Sequence, residues 1–439
     1  MKIIIVGGSF AGISCAIEAV KLYPDAQIRV VDKQASAGFI PSGLNLKLNE
    51  EIKTLSEAYF LSERDIRTAG VQLHLNTEVL SVDTANKTVE VALPTGVETW
   101  EYDKLVLAMG SRQSSKLVDG LSDERIVSTK QFAHAQTAER VIEAAQHIAV
   151  IGGGQIGMEA CEALVNANKQ VTLIEANSTL AARYFDPEFV ASIQEAIELT
   201  GVELYLGENV TAIETDPLCV TTTQSTIYPD AIILGVNLLP NTGLVTSQVA
   251  LNADGTILVD DYLETSVADV FAIGDLVQVP YGLTDETRFI ALVNNAIRSG
   301  QVAAYNLSQK RVQRPTSLRV IGSRVFSQYV VSVGMTEQEA AAQHQVHTVH
   351  VESPYTLTDD EPVYLKLVVE RESGRLLGGQ FRSERNILNF ADVLALAVGQ
   401  QLTDEQLAFQ DRLYYPRETS AYPIVYKAAI ESFRNRITS

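Results

Sequence analysis

Cysteine is scarce in this chain: Cys15, Cys161 and Cys219 are the three in 439 residues. The number is odd and no two form a C-x-x-C pair, which argues against a disulfide framework and against a zinc-ribbon site. Long apolar runs are missing too. Nothing approaches the ~20 consecutive apolar residues of a membrane span. The apolar start at residues 3–6 meets Gly7 too early to be the core of a signal peptide. A cytoplasmic protein is expected. Positive charge is in short supply: 34 Lys and Arg against 54 Asp and Glu leave a formal net charge of −20. That balance argues against nucleic acid and anionic membranes as partners, because both need a basic patch. A local basic pocket for a phosphate-bearing molecule remains compatible with it. Histidine is sparse, and His344, His347 and His350 are spaced three apart. Residues 346–351 read as a strand, in which His347 and His350 point to opposite faces. No metal site is expected.

What the chain does have is apolar mass and glycine turns. Hydrophobic residues make up 46%, enough for several packed cores and too many for a disordered chain. The length suggests about two to four domains. Residues 2–6 are apolar after Lys2, as a buried parallel strand should be. Gly7-Gly8-Ser9-Phe10-Ala11-Gly12 follows, then a helical stretch at 13–22, then a strand at 27–31 that ends in Asp32. This is the strand–turn–helix–strand–acid order of a dinucleotide site. Small turn residues let the backbone approach a pyrophosphate, whose charge meets the helix N-terminus. Asp32, 25 positions after Gly7, suits ribose hydroxyls. Ser9 replaces the middle glycine.

The pattern recurs. A strand at 147–151 leads into Gly152-Gly153-Gly154-Gln155-Ile156-Gly157, a helical run with Ile156, Ala160, Ala163 and Leu164 in phase, a strand at 170–174, and Glu175. One such turn is weak evidence and also occurs in α/β folds that bind no nucleotide; two complete copies are strong evidence. A carboxylate at Glu175 favours a free 2′-hydroxyl and repels a 2′-phosphate, so NADH is expected over NADPH. The nearby Arg183 reads as a solvated surface charge.

Two further segments carry a strand into a glycine turn: residues 105–111, Leu-Val-Leu-Ala-Met-Gly-Ser, and 269–275, Asp-Val-Phe-Ala-Ile-Gly-Asp. With residues 102–104, 239–242 and 290–295, they make the chain resemble the pyridine nucleotide–disulfide oxidoreductases. It is most similar to their NADH oxidase, NADH peroxidase and coenzyme A disulfide reductase branch, and the resemblance covers nearly the whole chain. It implies an α/β fold with two Rossmann-like dinucleotide-binding domains, for FAD (1–112 and 236–315) and for NAD (113–235). A C-terminal α+β dimerisation domain (316–439) of a homodimer completes it. Residues 363–369 alternate like a strand, Gly374 marks a turn and 387–398 read as a helix, in agreement.

The resemblance also implies cofactor contacts. For FAD they are Gly7, Gly8, Ser9, Ala11, Gly12, Asp32, Lys33, Val79, Gly110, Asp275 and Val293, with Asp275 accepting hydrogen bonds from ribitol hydroxyls. For NADH they are Gly152, Gly154, Gln155, Ile156, Gly157, Glu175, Tyr184 and Gly235.

The chain departs from that family where the chemistry sits. In Phe39-Ile40-Pro41-Ser42-Gly43, Ser42 stands in the place of the family's redox cysteine. Phe10 stands in the place of its active-site histidine. The cysteine of relatives cycles between thiolate and sulfenic acid, or forms a mixed disulfide with coenzyme A; a hydroxyl has no such oxidation ladder. Phe10 can neither donate a proton nor steady a thiolate. The three cysteines elsewhere read as small buried hydrophobes. Gln155 replaces a tyrosine that the family lays over the flavin, which leaves that face more open. Glu159, one turn along, is an acid that the family sets near the nicotinamide; a carboxylate stabilised by the helix dipole is the alternative. Tyr414, Tyr415, Pro416, Tyr422 and Tyr426 form an aromatic cluster that the resemblance extends across the dimer, and a packed interface rich in tyrosine fits equally.

Ser42, Phe10 and Glu159 are thus the expected catalytic set. The expected activity is that of an FAD-dependent NADH oxidase, passing hydride from NADH to flavin and electrons to dioxygen, with hydrogen peroxide released. Two alternatives stay open: reduction of a quinone or another small-molecule acceptor, and a non-catalytic sensor that binds FAD and NADH.

Overall fold

The structure, a computed structural model, describes residues 1–113, 123–236, 238–415, 419 and 423–438. The chain gathers into two compact units. The first takes Met1–Ala145, Val236–Pro280 and Glu286–Ser317; the second takes Gln146–Gly235, Tyr281–Asp285 and Leu318–Ser439.

The first unit is built on a five-stranded parallel sheet. Its strands run Val270–Ala272, Lys104–Leu107, Lys2–Val6, Gln27–Val31 and Gln72–His74 in spatial order. Ile3, Ile4 and Ile5 are buried on both faces of the central strand, which explains its unbroken apolar run. Helix Phe10–Leu22 follows at once and packs on helix Val293–Asn306. It starts three residues earlier than its apolar phasing suggests, because the turn residues Phe10, Ala11 and Gly12 already form its first turn. Ser9, at φ −107°, is extended as the residue before the helix. An antiparallel sheet of Glu78–Asp83, Thr88–Leu93 and Gly96–Glu101 also belongs to this unit.

The second unit repeats the parallel arrangement with Glu203–Leu206, Gln170–Glu175, His147–Ile151 and Ala231–Leu234 as neighbours. Helix Gln155–Asn166 packs on two of them. The same unit holds an antiparallel sheet in the order Ile321–Val325, Gln328–Gly334, Leu376–Ser383, Pro362–Glu370, Val346–Pro354. Helices Phe390–Gly399 and Ile424–Thr438 lie on it. The first of these begins at 390 rather than 387. Residues 386–389 turn instead, with Leu388 N–H donating to Asn386 Oδ1 and Phe390 N–H to the Ile387 carbonyl. His347 and His350 sit three apart in Val346–Pro354, on opposite faces. His344 lies outside that strand, with Nδ1 2.9 Å from Glu370 Oε1.

One buried group stands out in this sheet. The alternation at 363–369 suggests one covered face, yet residues 365–369 are all buried, Lys366 among them at 2% exposure. Its ammonium lies 3.0 Å from Asp186 Oδ2, 2.5 Å from Glu188 Oε1 and 2.6 Å from Glu337 Oε2. Gln380 braces Asp186 twice, donating from Nε2 at 2.6 Å and accepting from the Asp186 N–H at 2.8 Å. Burial works to lower the Lys366 pKa, but hydrogen bonds to Glu188, Glu337 and Asp186 outweigh it and hold the ammonium above its ordinary range.

Candidate active site

In both units a glycine turn meets its own strand at a distance that only glycine allows. A Cβ on Gly12 would lie 1.9 Å from the Gly7 carbonyl oxygen, and one on Gly157 would lie 1.8 Å from that of Gly152. Each helix therefore leaves its strand in a tight turn, and its first N–H groups have no intrahelical partner. Neither Ser9 nor Gly154 caps its helix with a side chain, and neither helix has an acid in its first turn. Uncapped N–H groups with no competing carboxylate suit a pyrophosphate, so the residues present fit a dinucleotide in each unit.

The acids expected to bind ribose close each turn. Asp32 accepts the Gly8 N–H at 2.6 Å and the Gln34 N–H at 2.8 Å. Burial raises its pKa, against the opposing pull of those two N–H groups and of Lys33. Glu175 accepts the Gly153 N–H at 2.6 Å, and Asn177 holds its other oxygen through N–H at 2.8 Å and Nδ2 at 2.6 Å. Gly235 lies against the same turn, its N–H donating to the Ile151 carbonyl at 2.8 Å. Ile156 is exposed beside it. Tyr184 carries the Arg319 guanidinium 5.9 Å over its ring.

In the first unit, Gly274 brings the late strand against the helix, where a Cβ would lie 3.0 Å from that of Ala11. Asp275 follows in a short 3-10 turn, Gly274–Leu276. Its Oδ2 accepts from the Ser111 hydroxyl at 2.6 Å and from the Lys130 ammonium at 2.7 Å, and Lys130 also bonds the Ser111 oxygen. Asp275 thus sits in a small charged cluster. Lys130 and Ser111 were invisible as partners in the sequence, since Lys130 lies 145 positions from Asp275 and carries no motif. Of the other expected FAD contacts, Gly110 accepts the Asn241 N–H at 2.9 Å. Val79 packs on the first core, Val293 opens its helix half-exposed, and Lys33 lies 3.9 Å from Glu78 at the surface.

The departures from the family pattern have structural weight. Phe10 stacks on Phe60, with centroids 4.5 Å apart and planes 20° apart. Phe39 meets Tyr59 and Phe132 edge-on at 5.9 and 5.5 Å. Ser42 is half-buried at the start of the short helix Gly43–Leu48 and makes no capping hydrogen bond there. No thiol replaces it: Cys15 and Cys161 are 0% exposed and Cys219 is 5% exposed. Burial pushes the Cys15 thiol up to about 12 and raises that of Cys161 further.

In the second unit Gln155 Nε2 donates to Glu159 Oε1 at 2.9 Å and to the Gly322 carbonyl at 3.2 Å. Ser323 Oγ donates to the same Glu159 oxygen at 2.7 Å. Gln155 and Glu159 are both expected from the sequence; Ser323, 164 positions from Glu159, carries no motif that marks it. In the C-terminal cluster, Tyr414 and Tyr415 are about half exposed, and Arg412 lies 5.1 Å over the Tyr426 ring. Pro416 and Tyr422 lie outside the described residues.

Comparison with known proteins gives matches along the chain. The model of the pyridine nucleotide-disulphide oxidoreductase family matches residues 1–300, and that of the family's dimerisation domain matches residues 321–423. An NADH oxidase of Enterococcus faecalis (strain ATCC 700802 / V583) is 29% identical over 98% of this chain and 100% of its own length. A pyridine nucleotide-disulfide family oxidoreductase from Enterococcus faecalis V583 is 34% identical, with a TM-score of 0.89 over 100% of both chains. The water-forming NADH oxidase from Lactobacillus brevis bound to NADH is 29% identical, with a TM-score of 0.93 over 100% of this chain and 99% of that one.

Proposed function

Since the chain belongs to the pyridine nucleotide-disulphide oxidoreductase family, we propose that it is an NADH oxidase that forms hydrogen peroxide. It is an NADH oxidoreductase, and the family implies FAD and NADH as its cofactors. FAD, when bound, supplies the centre that takes hydride from NADH and delivers electrons to dioxygen. The chain's own residues bind and orient. The uncapped N–H groups at the start of helix Phe10–Leu22 would hold one pyrophosphate, and Asp32 would hold a ribose beside it. Lys130, Ser111 and Asp275 form the polar end of that site. The uncapped N–H groups at the start of helix Gln155–Asn166 would hold the second pyrophosphate, and Glu175 would accept from the ribose hydroxyls of NADH. Phe10 and Phe60 keep water from the face that relatives line with a histidine. The three-part division into FAD, NAD and dimerisation domains, and assembly as a homodimer, belong to the same proposal, supported by the match to the dimerisation domain.

One observation carries the choice of product: Ser42 stands at the redox position and all three cysteines are buried. Four-electron reduction to water by the family's cysteine route needs a thiolate that is oxidised and then reduced again. This chain offers no accessible thiol, and the water-forming relative does not transfer its product to it. Oxygen uptake during NADH turnover, with catalase added partway, is the test. Return of half the oxygen consumed is expected; return of none means water formation and overturns the product assignment. NADH is expected to exceed NADPH in kcat/KM by about tenfold or more, the effect of about 1.4 kcal/mol of repulsion at Glu175. Equal values overturn that role of Glu175.

A second reading rests on the stacked pair Phe10 and Phe60. A flat aromatic wall suits a planar acceptor such as a quinone. A quinone panel that leaves NADH turnover no faster than with oxygen alone rules it out.

A further inference from the structure

The helix Gln155–Asn166 is tied to the hairpin formed by Ile321–Val325 and Gln328–Gly334 through three of its side chains, all within one compact unit. Gln155 reaches the Gly322 carbonyl, Glu159 takes the Ser323 hydroxyl, and Glu162 Oε1 accepts the Phe326 N–H at 2.8 Å. The hairpin turn itself is unusual. Phe326 and Ser327 have φ of 47° and 65°, left-handed values for which such turns normally recruit glycine or asparagine. Glu162 holds the first of these two residues, so the hairpin is pinned to the dinucleotide-binding helix at its most constrained point. Ser323 is 6% exposed, and its hydroxyl donates to Glu159.

We propose that Ser323 is a positioning residue for the nicotinamide end of NADH, acting through Glu159. Two donors, Ser323 Oγ and Gln155 Nε2, converge on Glu159 Oε1. A glutamate side chain on a helix otherwise samples several rotamers, and ordering it on binding is unfavourable. With one oxygen held by two hydrogen bonds, that ordering is complete before NADH arrives. The second oxygen remains to accept a hydrogen bond from the carboxamide N–H of the nicotinamide. A residue within the matched dimerisation domain, 164 positions away, would then set the acid on the NADH helix.

The inference rests on the NADH reading, and the test separates the two. NAD+ binding to the FAD-loaded protein is measured by titration calorimetry for the wild type, Ser323→Ala, Glu159→Ala and the double variant, with melting temperature and flavin content recorded for each. Loss of one hydrogen bond's worth of pre-ordering should weaken NAD+ by about fivefold in Ser323→Ala, with flavin content unchanged and melting temperature lowered only by the loss of that one bond. In the Glu159→Ala background the Ser323 replacement should have no further effect, because its target is gone. Unchanged binding in Ser323→Ala overturns the proposal, as do additive effects in the double variant. A wild type that does not bind NAD+, or a Glu159→Ala variant that binds it as well as wild type, overturns the placement of the nicotinamide and the positioning role with it.

Discussion

Replacing Lys366 with alanine should destabilise the second unit by about 3–5 kcal/mol, the range for removing one partner of a buried ion pair. The loss comes less from the attraction forfeited than from what is left behind. Asp186, Glu188 and Glu337 would face one another with no cation between them, and Asp186 is itself buried. Urea midpoints of wild type and Lys366→Ala, followed by fluorescence, check this; a difference below about 1 kcal/mol would mean that water reaches the cluster. The pH dependence has a definite sign. The folded-state pKa of Lys366 is raised, so its contribution is complete below the ordinary lysine pKa of about 10.4 and is lost only as pH rises through the higher folded value. Wild type should therefore lose this contribution only in strong alkali, while the variant lacks it at every pH.

The second large effect concerns the turns. Gly157→Ala should weaken NADH by about 10- to 100-fold while FAD stays bound, because relief of the 1.8 Å approach to Gly152 requires the helix to move off its strand. Overpacking of this kind costs about 1–3 kcal/mol, and each 1.4 kcal/mol is tenfold in affinity. Gly12→Ala should do the reverse, releasing FAD from a protein whose NADH turn is intact. Flavin absorbance after desalting, together with NAD+ titration, separates the two. A Gly157→Ala variant that binds NADH normally would show that the second turn is not the site.

These two turns were also the most legible part of the sequence. Their requirements are local: a buried strand, residues small enough for a 2 Å approach, a helix start, and an acid at the next strand end. All of them occur within about thirty residues, as the unit demands. Helix boundaries were less clear, since the apolar phase begins at Ile13 although the helical backbone begins at Phe10. Asp275, Gln155 and Glu159 were expected from the sequence, but the distant partners that complete the clusters at Asp275, Glu159 and Lys366 could not be read. Each assembles partners more than a hundred positions apart, and nothing in the neighbourhood of Lys130, Ser323 or Lys366 marks them. Lys366 was the least legible, because a lysine in an alternating strand reads as its solvent face and the structure covers that face with three carboxylates.

The burial of Cys15, Cys161 and Cys219 reaches beyond the choice of product. A protein that releases hydrogen peroxide is the first molecule its product meets, and an exposed thiolate would be spent within its own turnover. All three thiols are enclosed, and burial raises the pKa of Cys15 and Cys161, so peroxide formed as proposed would meet no exposed thiol on this chain. The same enclosure makes the three thiols natural reporters: a maleimide dye should ignore the folded protein and label it only as each core opens, with Cys15 marking the first unit and Cys161 and Cys219 the second.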